Sequence, residues 1–385
     1  MDINLQPRKL AGKLTAPPSK SIAHRMLICA AFSDKPTTLL CPDTNDDIDA
    51  TTDCLRALGA DIQRIENAFH VTPVRSIPRE AHLNCRESGS TLRFLLPIVG
   101  ALGVKASIKM EGGLPRRPLA PLWEEMQRMG CKLSRPAEDT IFCEGRLLPG
   151  AYSIAGDISS QFISGLMMAL PLIHGESSLE ITGNTASLPY VEMTKHVQQL
   201  FSQAHSQTYA VEGDWSSAAF WLAANALGCN ITVAGLTPSS PQGDSAIAYL
   251  LPQLKGNVTI CAKDIPDLIP VLSVVAAANK GAVFTDIARL RLKESDRVAT
   301  IVDLLTSLGG KAEATENTLT VYGIGLIGGT VRSHSDHRIA MSAAIAATVC
   351  KETVTILGAE CVKKSYPRFL EEYTNLGGMY EKQLR

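Results

Sequence analysis

The 385-residue chain has almost no net charge, no paired cysteine motif and no long apolar run, and each lack removes a class of function. With 37 basic and 38 acidic residues the net charge is −1, so no global field draws in nucleic acid or an anionic membrane. The apolar stretches break well short of the ~20 residues a membrane span needs. The start MDINLQPRKL lacks a charged-then-apolar leader, and a cytoplasmic setting is expected. Ten cysteines are scattered without a CxxC pair, which fits reduced, buried thiols better than disulfides or a metal site. HExxH and P-loop patterns are missing, as is a GxGxxG with an acidic residue at dinucleotide spacing behind it. Chemistry without a metal or an organic cofactor is the expectation.

What the chain does have is repetition. Six polar openings, at Ser21, Ser90, Ser160, Ser217, Asp267 and Asp336, each lead into a strongly apolar helical run such as STLRFLLPIVGAL or DLIPVLSVVAAAN. The spacing suggests one unit repeated six times, with two units shortened. These runs have no polar face long enough for solvent, so burial is expected. Each is followed by a β-branched segment: TTLLCP, VKASIKM, SLEITG, NITVAGL, AVFTDIA and TVTIL. A second pattern is LRALGADI, MQRMGCKL and LTSLGGKA, amphipathic helices closed by Gly59, Gly130 and Gly309 and leading through a turn into a strand. FLEEYTNLGGMY reads as a fourth such helix with no strand after it. HVQQLFSQ (196–203) and AIAYLLPQL (246–254) run into TYAVEG and GNVTICAK without room for the extra strand, which accounts for the shortened units.

A chain this long predicts two domains of three units each. The reading places one domain at 19–211 and the second at 1–18 plus 212–385. The double crossover falls near 17–18 and 211–215, provided the N-terminal strand pairs back with the last unit.

Helix N-termini attract anions through free N–H groups and the macrodipole, and several of these ends carry cations as well. Pro18-Ser19-Lys20-Ser21-Ile22-Ala23-His24-Arg25 places charges inside a helix otherwise destined for burial. Glu87-Ser88-Gly89-Ser90-Thr91-Leu92-Arg93 is a glycine turn entering a helix. Gly112-Gly113-Leu114-Pro115-Arg116-Arg117-Pro118 offers guanidinium groups for a planar carboxylate or a phosphate. Ser159-Ser160-Gln161, Ile265-Pro266-Asp267, Lys293-Glu294-Ser295-Asp296-Arg297, Ser335-Asp336-His337-Arg338 and Lys363-Lys364-Ser365-Tyr366-Pro367 complete the series. Taken singly, capping explains Asp267, and a surface charge pattern on one helical face explains 293–297. Together they recur at equivalent ends of the units, where two halves facing each other would gather many cations and few carboxylates around small polyanions.

PSKSIAHR, GDISSQF, SLPY, IPD, KESDR, DHR and KSYP, in this order from Lys20 to Pro367, resemble the 5-enolpyruvylshikimate-3-phosphate (EPSP) synthase family. The resemblance implies an α/β fold of two domains, an inside-out α/β barrel built from six βαβαββ-type units, three per domain. It implies transfer of the enolpyruvyl group of phosphoenolpyruvate to the 5-hydroxyl of shikimate 3-phosphate, with phosphate released and no cofactor or metal used. The partners it implies are these two small molecules, with no nucleic acid and no membrane, and a monomer is expected. Matched residue by residue, Lys20, Ser21, Arg25, Ser159, Ser160, Gln161, Ser187, Tyr190, Asp267 and Lys293 would hold shikimate 3-phosphate. Lys20, Gly89, Arg117, Gln161, Arg297, His337, Arg338 and Lys364 would hold phosphoenolpyruvate. Asp267 corresponds to the proton acceptor at the 5-hydroxyl, and Glu294 or Lys20 to the proton donor at the enol carbon. Addition and elimination through a tetrahedral ketal need an acid–base group beside each reacting atom. Two mutually repelling anions need cations around them, and closure of the domains would bring them together.

The chain departs from the family in two places. Glu87-Ser88-Gly89-Ser90 stands where the family usually has Asn-Ala-Gly-Thr, and Arg289 where it has an asparagine. Two rivals remain. UDP-N-acetylglucosamine enolpyruvyltransferase shares the fold but usually carries an asparagine after its first lysine, where this chain has Ser21, and a loop cysteine that 112–118 lacks. An inactive phosphometabolite-binding homologue is disfavoured by the retention of Asp267, Glu294 and Lys20.

Overall fold

The computed structural model describes residues 1–203 and 207–383. The chain begins with β1 (Ile3–Leu5) and β2 (Ala11–Thr15), followed by α1 (Lys20–Ala31), β3 (Thr37–Leu40), α2 (Asp46–Ala57), β4 (Asp61–Ile65) and β5 (Ala68–Thr72). The pattern returns as β6 (Glu80–Asn84), α3 (Gly89–Leu102), β7 (Lys105–Lys109), α4 (Leu122–Arg128), β8 (Cys131–Ala137) and β9 (Thr140–Gly145). A shorter version has β10 (Ala151–Ala155), α5 (Ser160–Ala169), β11 (Ser178–Thr182), α6 (Leu188–Gln203) and β12 (Thr208–Ala210). Next come α7 (Trp215–Ala226), β13 (Asn230–Ala234), α8 (Ile247–Gln253) and β14 (Thr259–Cys261), then α9 (Ile269–Ala278), β15 (Gly281–Thr285), α10 (Arg297–Ser307), β16 (Lys311–Ala314) and β17 (Thr318–Tyr322). The chain ends with β18 (Gly329–Arg332), α11 (His337–Ala346), β19 (Val354–Leu357), α12 (Phe369–Asn375) and β20 (Tyr380–Lys382).

Two compact units result: unit A, Met1–Pro17 with Gly213–Arg385, and unit B, Pro18–Glu212. Unit B has sheets ordered β12-β3-β5-β4, β6-β7-β9-β8 and β10-β11. Unit A has sheets ordered β18-β19-β1-β20, β14-β15-β17-β16 and β13-β2. The N-terminal strand does pair with the end of the chain, with Ile3 opposite Ile356 on one side and Lys382 on the other.

All six apolar runs are helices: α1, α3 and α5 in unit B, α7, α9 and α11 in unit A. They are buried because they are apolar on every side. In α3 thirteen of fourteen residues are buried, and in α9 nine of ten. A fully buried Leu, Val or Ile side chain contributes roughly 1.5–3 kcal/mol, so these helices anchor each core. Side-chain caps start several of them. Ser88 accepts from Thr91 N at 3.2 Å, Ser159 from Gln161 N at 3.3 Å and Asp336 from Arg338 N at 2.9 Å. Gly130, just past α4, has φ +109°, and a Cβ there would meet Arg146 O at 2.7 Å, so only glycine suits that exit.

Three expectations need correction. The helix at FLEEYTNLGGMY is followed by a strand: β20 pairs antiparallel with β1, supplying its free edge with a partner although it is only three residues long. Lys293–Asp296 are not helical, so their charges do not share a helical face; α10 begins at Arg297, with Asp296 as cap accepting from Val298 N and Ala299 N at 3.1 Å. The helix expected at 196–203 starts earlier, at Leu188, and takes Tyr190 into its first turn. Among the described residues no helix is long and apolar enough to cross a membrane, and no group of three or more His, Cys, Asp or Glu is placed to hold a metal.

Candidate active-site residues on the two units

Unit B carries Lys20, Ser21, Arg25, Gly89, Arg117, Ser159, Ser160, Gln161, Ser187 and Tyr190. Lys20, the first residue of α1, donates to Asp47 Oδ2 at 2.8 Å near the start of α2. Two further polar side chains enter the buried face of α1 and are met by hydroxyls and carbonyls. His24 Nδ1 lies 2.7 Å from Thr51 Oγ1, and burial drives its pKa down to about 3, so the ring is neutral at working pH. Arg25 is 2% exposed, and burial lowers its pKa to about 10, which leaves it a cation. Its Nε donates to Thr194 Oγ1 at 2.7 Å, its Nη1 to Ser21 O at 2.7 Å, and its Nη2 to Ser164 Oγ and Tyr190 O at 3.1 Å. Arg25 therefore ties α1 to α5 and α6 and fixes the Tyr190 carbonyl. Ser187, one residue before α6, is buried with φ +56°, an uncommon conformation for a residue with a Cβ.

The remaining unit B residues cluster at the starts of α3 and α5. Gln161 donates through Nε2 to Ser90 Oγ at 2.9 Å and accepts through Oε1 from Arg93 Nη1 at 2.8 Å. Arg93 Nη2 also donates to Pro118 O at 3.2 Å. A Cβ at Gly89 would lie 2.7 Å from Arg93 Nη1 and 2.8 Å from Arg117 Nη1, so the absent side chain is what lets two guanidinium groups close on this helix N-terminus. An N-terminus with two such cations beside it is suited to an anion.

Unit A carries Asp267, Lys293, Glu294, Arg297, His337, Arg338 and Lys364. Its hub is Arg297, 1% exposed. Nη1 donates to Asp267 Oδ1 at 2.5 Å, Nη2 to Glu294 Oε2 at 2.6 Å, and Nε to Asp336 Oδ2 at 2.8 Å. Asp267 also lies 3.6 Å from Lys293 Nζ and 3.4 Å from Arg338 Nη2. Helix α9 starts at Ile269 with Leu268, not Asp267, at the cap position, so the expectation that capping explains Asp267 does not hold. Burial would raise the Asp267 pKa, but Arg338, Lys293 and Arg297 outweigh it and hold the carboxyl well below the usual range. Burial brings Lys293 down to about 8 against the pull of Asp267. His337 opens α11 and is buried, and Lys364 closes the short turn Ala359–Lys364. Within unit A, Lys293, Arg297 and Arg338 meet three carboxylates, Asp267, Glu294 and Asp336, which compensate the buried charge.

Four participants were missing from the sequence-based set. Arg93 and Asp336 lie inside motifs that were noticed and could have been singled out as charges entering buried helices. Asp47 gives no such signal, since one of several aspartates at a helix start reads as capping. Asp244 is buried and accepts from Ser216 Oγ; burial, then Asp267, raises its pKa to about 7. A lone aspartate after a glycine carried no hint of this.

Both units thus form a mixed α/β protein whose charged residues gather at starts of buried helices. The profile described as EPSP synthase (3-phosphoshikimate 1-carboxyvinyltransferase) matches residues 5–203 and 257–373. The 3-phosphoshikimate 1-carboxyvinyltransferase of Clostridium kluyveri is 37% identical, with 98% of this chain and 97% of that protein covered. The enzyme of the same name from Clostridium beijerinckii is 36% identical over 99% of this chain and 98% of its own length. A solved EPSP synthase from Acinetobacter baumannii superposes with a TM-score of 0.80 at 22% identity, covering 99% of this chain and all of that one. The chain belongs to the EPSP synthase family.

Proposed function

We propose that this chain transfers the enolpyruvyl group of phosphoenolpyruvate to the 5-hydroxyl of shikimate 3-phosphate and releases phosphate, the step named by its family and relatives. The observation that supports specific roles is the unit A cluster, where one carboxylate, Asp267, is held by Arg297, Lys293 and Arg338 while Glu294 shares Arg297. Asp267 is ionised in the free protein and available to accept the proton of the 5-hydroxyl. Its cations are also ligands for incoming phosphate or carboxylate groups. An anion that engages Lys293 and Arg338 would weaken their hold on Asp267 and raise its basicity, coupling substrate arrival to proton transfer. Glu294 is the proton donor at the enol carbon in this reading, and Lys20 assists from unit B.

On unit B, Ser21, Arg25, Ser159, Ser160, Ser187 and Tyr190 form the shikimate 3-phosphate set, with Arg25 acting partly by fixing Tyr190. Gly89, Arg117 and Gln161 serve phosphoenolpyruvate together with Arg297, His337, Arg338 and Lys364. The finer architecture belongs to the same reading: six βαβαββ-type units, three per domain, as an inside-out α/β barrel. So do a cytoplasmic location and a monomeric state.

The test is an assay of phosphate release with phosphoenolpyruvate and each acceptor separately, shikimate 3-phosphate or UDP-N-acetylglucosamine. Release with shikimate 3-phosphate alone is expected. No release with either acceptor would refute the reading, and release only with the nucleotide sugar would replace it.

A further inference from the structure

Glu87 places a carboxylate two residues before the helix start at which Arg93 and Arg117 gather, an unfavourable position for a residue next to an anion site. The structure shows where that charge goes. Glu87 Oε1 accepts from Gly113 N at 3.2 Å, and Gly112 has φ +55° with the carboxylate occupying the space a Cβ would need. A neighbouring bond from Glu111 N to Arg86 O, 2.7 Å, runs beside it, and Asn84 Nδ2 donates to Glu111 Oε1 at 2.8 Å. The loop then makes one short helical turn, Leu114–Arg116, which delivers Arg117 to Gly89. The far end of the loop is held by Arg93 through Pro118 O.

We propose that Glu87 is a positioning residue that straps the Gly112–Pro118 loop to the start of α3, and so sets the affinity of Arg117 and the Gly89 amide for phosphoenolpyruvate. The strap explains why a carboxylate is tolerated there: its charge is spent on an N–H of the loop. It also explains the glycine at 112, since any side chain would displace the carboxylate. The inference rests on the proposed assignment of Arg117 to phosphoenolpyruvate.

Two readouts test it. In steady-state kinetics Glu87→Ala should raise KM for phosphoenolpyruvate about tenfold, the size expected from losing one charge-assisted hydrogen bond, and leave kcat and KM for shikimate 3-phosphate within about twofold. Glu87→Gln, whose amide oxygen can accept the same N–H, should restore KM to near the wild-type value. In hydrogen-exchange mass spectrometry of the substrate-free protein, residues 111–118 should exchange faster in Glu87→Ala but not in Glu87→Gln. Unchanged exchange in the alanine variant overturns the strap whether or not the protein is active. An unchanged KM, an equal rise for both substrates, or a glutamine variant as impaired as alanine overturns it as well. If the wild-type protein releases no phosphate, the assignment of the site fails, while the exchange result still decides the strap.

Discussion

Replacing Arg297 by methionine tests the electrostatic logic of unit A most directly. The guanidinium is buried and serves Asp267, Glu294 and Asp336 at 2.5, 2.6 and 2.8 Å. Removing it leaves Asp267 with Lys293 and Arg338, but Asp336 is fully buried and retains the Ser295 hydroxyl at 3.0 Å and the Arg338 N–H at 2.9 Å. Breaking a buried ion pair by deleting one partner costs about 3–5 kcal/mol, so a loss of about 4 kcal/mol at pH 7.5 is expected. The pH dependence gives the mechanism away. In the wild type the Asp267 pKa lies well below the unfolded value, so its contribution is present above about pH 4 and is lost only as pH falls further. In the variant Asp267 loses one of the three cations that hold its pKa down, so the stability it contributes above about pH 4 is smaller. The stability gap between the two proteins should therefore stay level from pH 7.5 to pH 5 and narrow only as pH falls below about 4. Urea unfolding followed by the fluorescence of Trp215 and Trp221, both in unit A, measures it. Arg297→Lys should lose less, because it keeps the charge without the three-way fork. A gap below about 1 kcal/mol, or one that stays level as pH falls below about 4, would refute the reasoning.

Three further outcomes follow from the same geometry. Asp267→Ala should lower kcat by about 10³ while the Kd for shikimate 3-phosphate stays within about threefold, because the cations around it remain; equal loss of both would remove Asp267 from the proton-accepting role. Lys293 has a pKa near 8 in the free protein, so kcat/KM for shikimate 3-phosphate should fall as pH rises through 8, and Lys293→Arg should move that limb upward; a profile identical in both proteins counts against it. His24 is held at about 3 by burial against 6.5 when exposed, so stability is full above pH 6.5 and drops by up to ~1.4 kcal/mol per unit as pH falls toward 3. Denaturation of unit B by acid should accordingly lose part of its slope in His24→Gln, and an unaltered slope would show that the ring titrates normally.

The helices were legible because an apolar run leaves a helix no solvent face, and their starts were legible to within two residues: the openings read at Ser90, Ser160 and Asp336 lie at or beside the caps Ser88, Ser159 and Asp336. The strand β20 was not, since three residues after Gly377-Gly378 carry no alternating pattern and owe their conformation to β1, which lies more than 370 residues away. The same distinction divides the site. A charge inside a buried helix is conspicuous in one dimension, which is why Arg25 and Arg338 stood out, whereas Arg297 read as part of a surface charge pattern. The partners of a buried charge are not conspicuous, because the carboxylates that meet Arg297 come from positions 267, 294 and 336, and only the fold brings them within 3 Å. Buried Arg297 is met by counter-charge from Asp267, Glu294 and Asp336, whereas buried Arg25 is met by hydroxyls and carbonyls; the motifs hold most of these residues but not their pairing. The consequence is chemical as well as structural: in unit A the cations are already engaged with Asp267, so under the proposed assignment an arriving anion would compete with that carboxylate, and the competition would turn binding into a change of basicity.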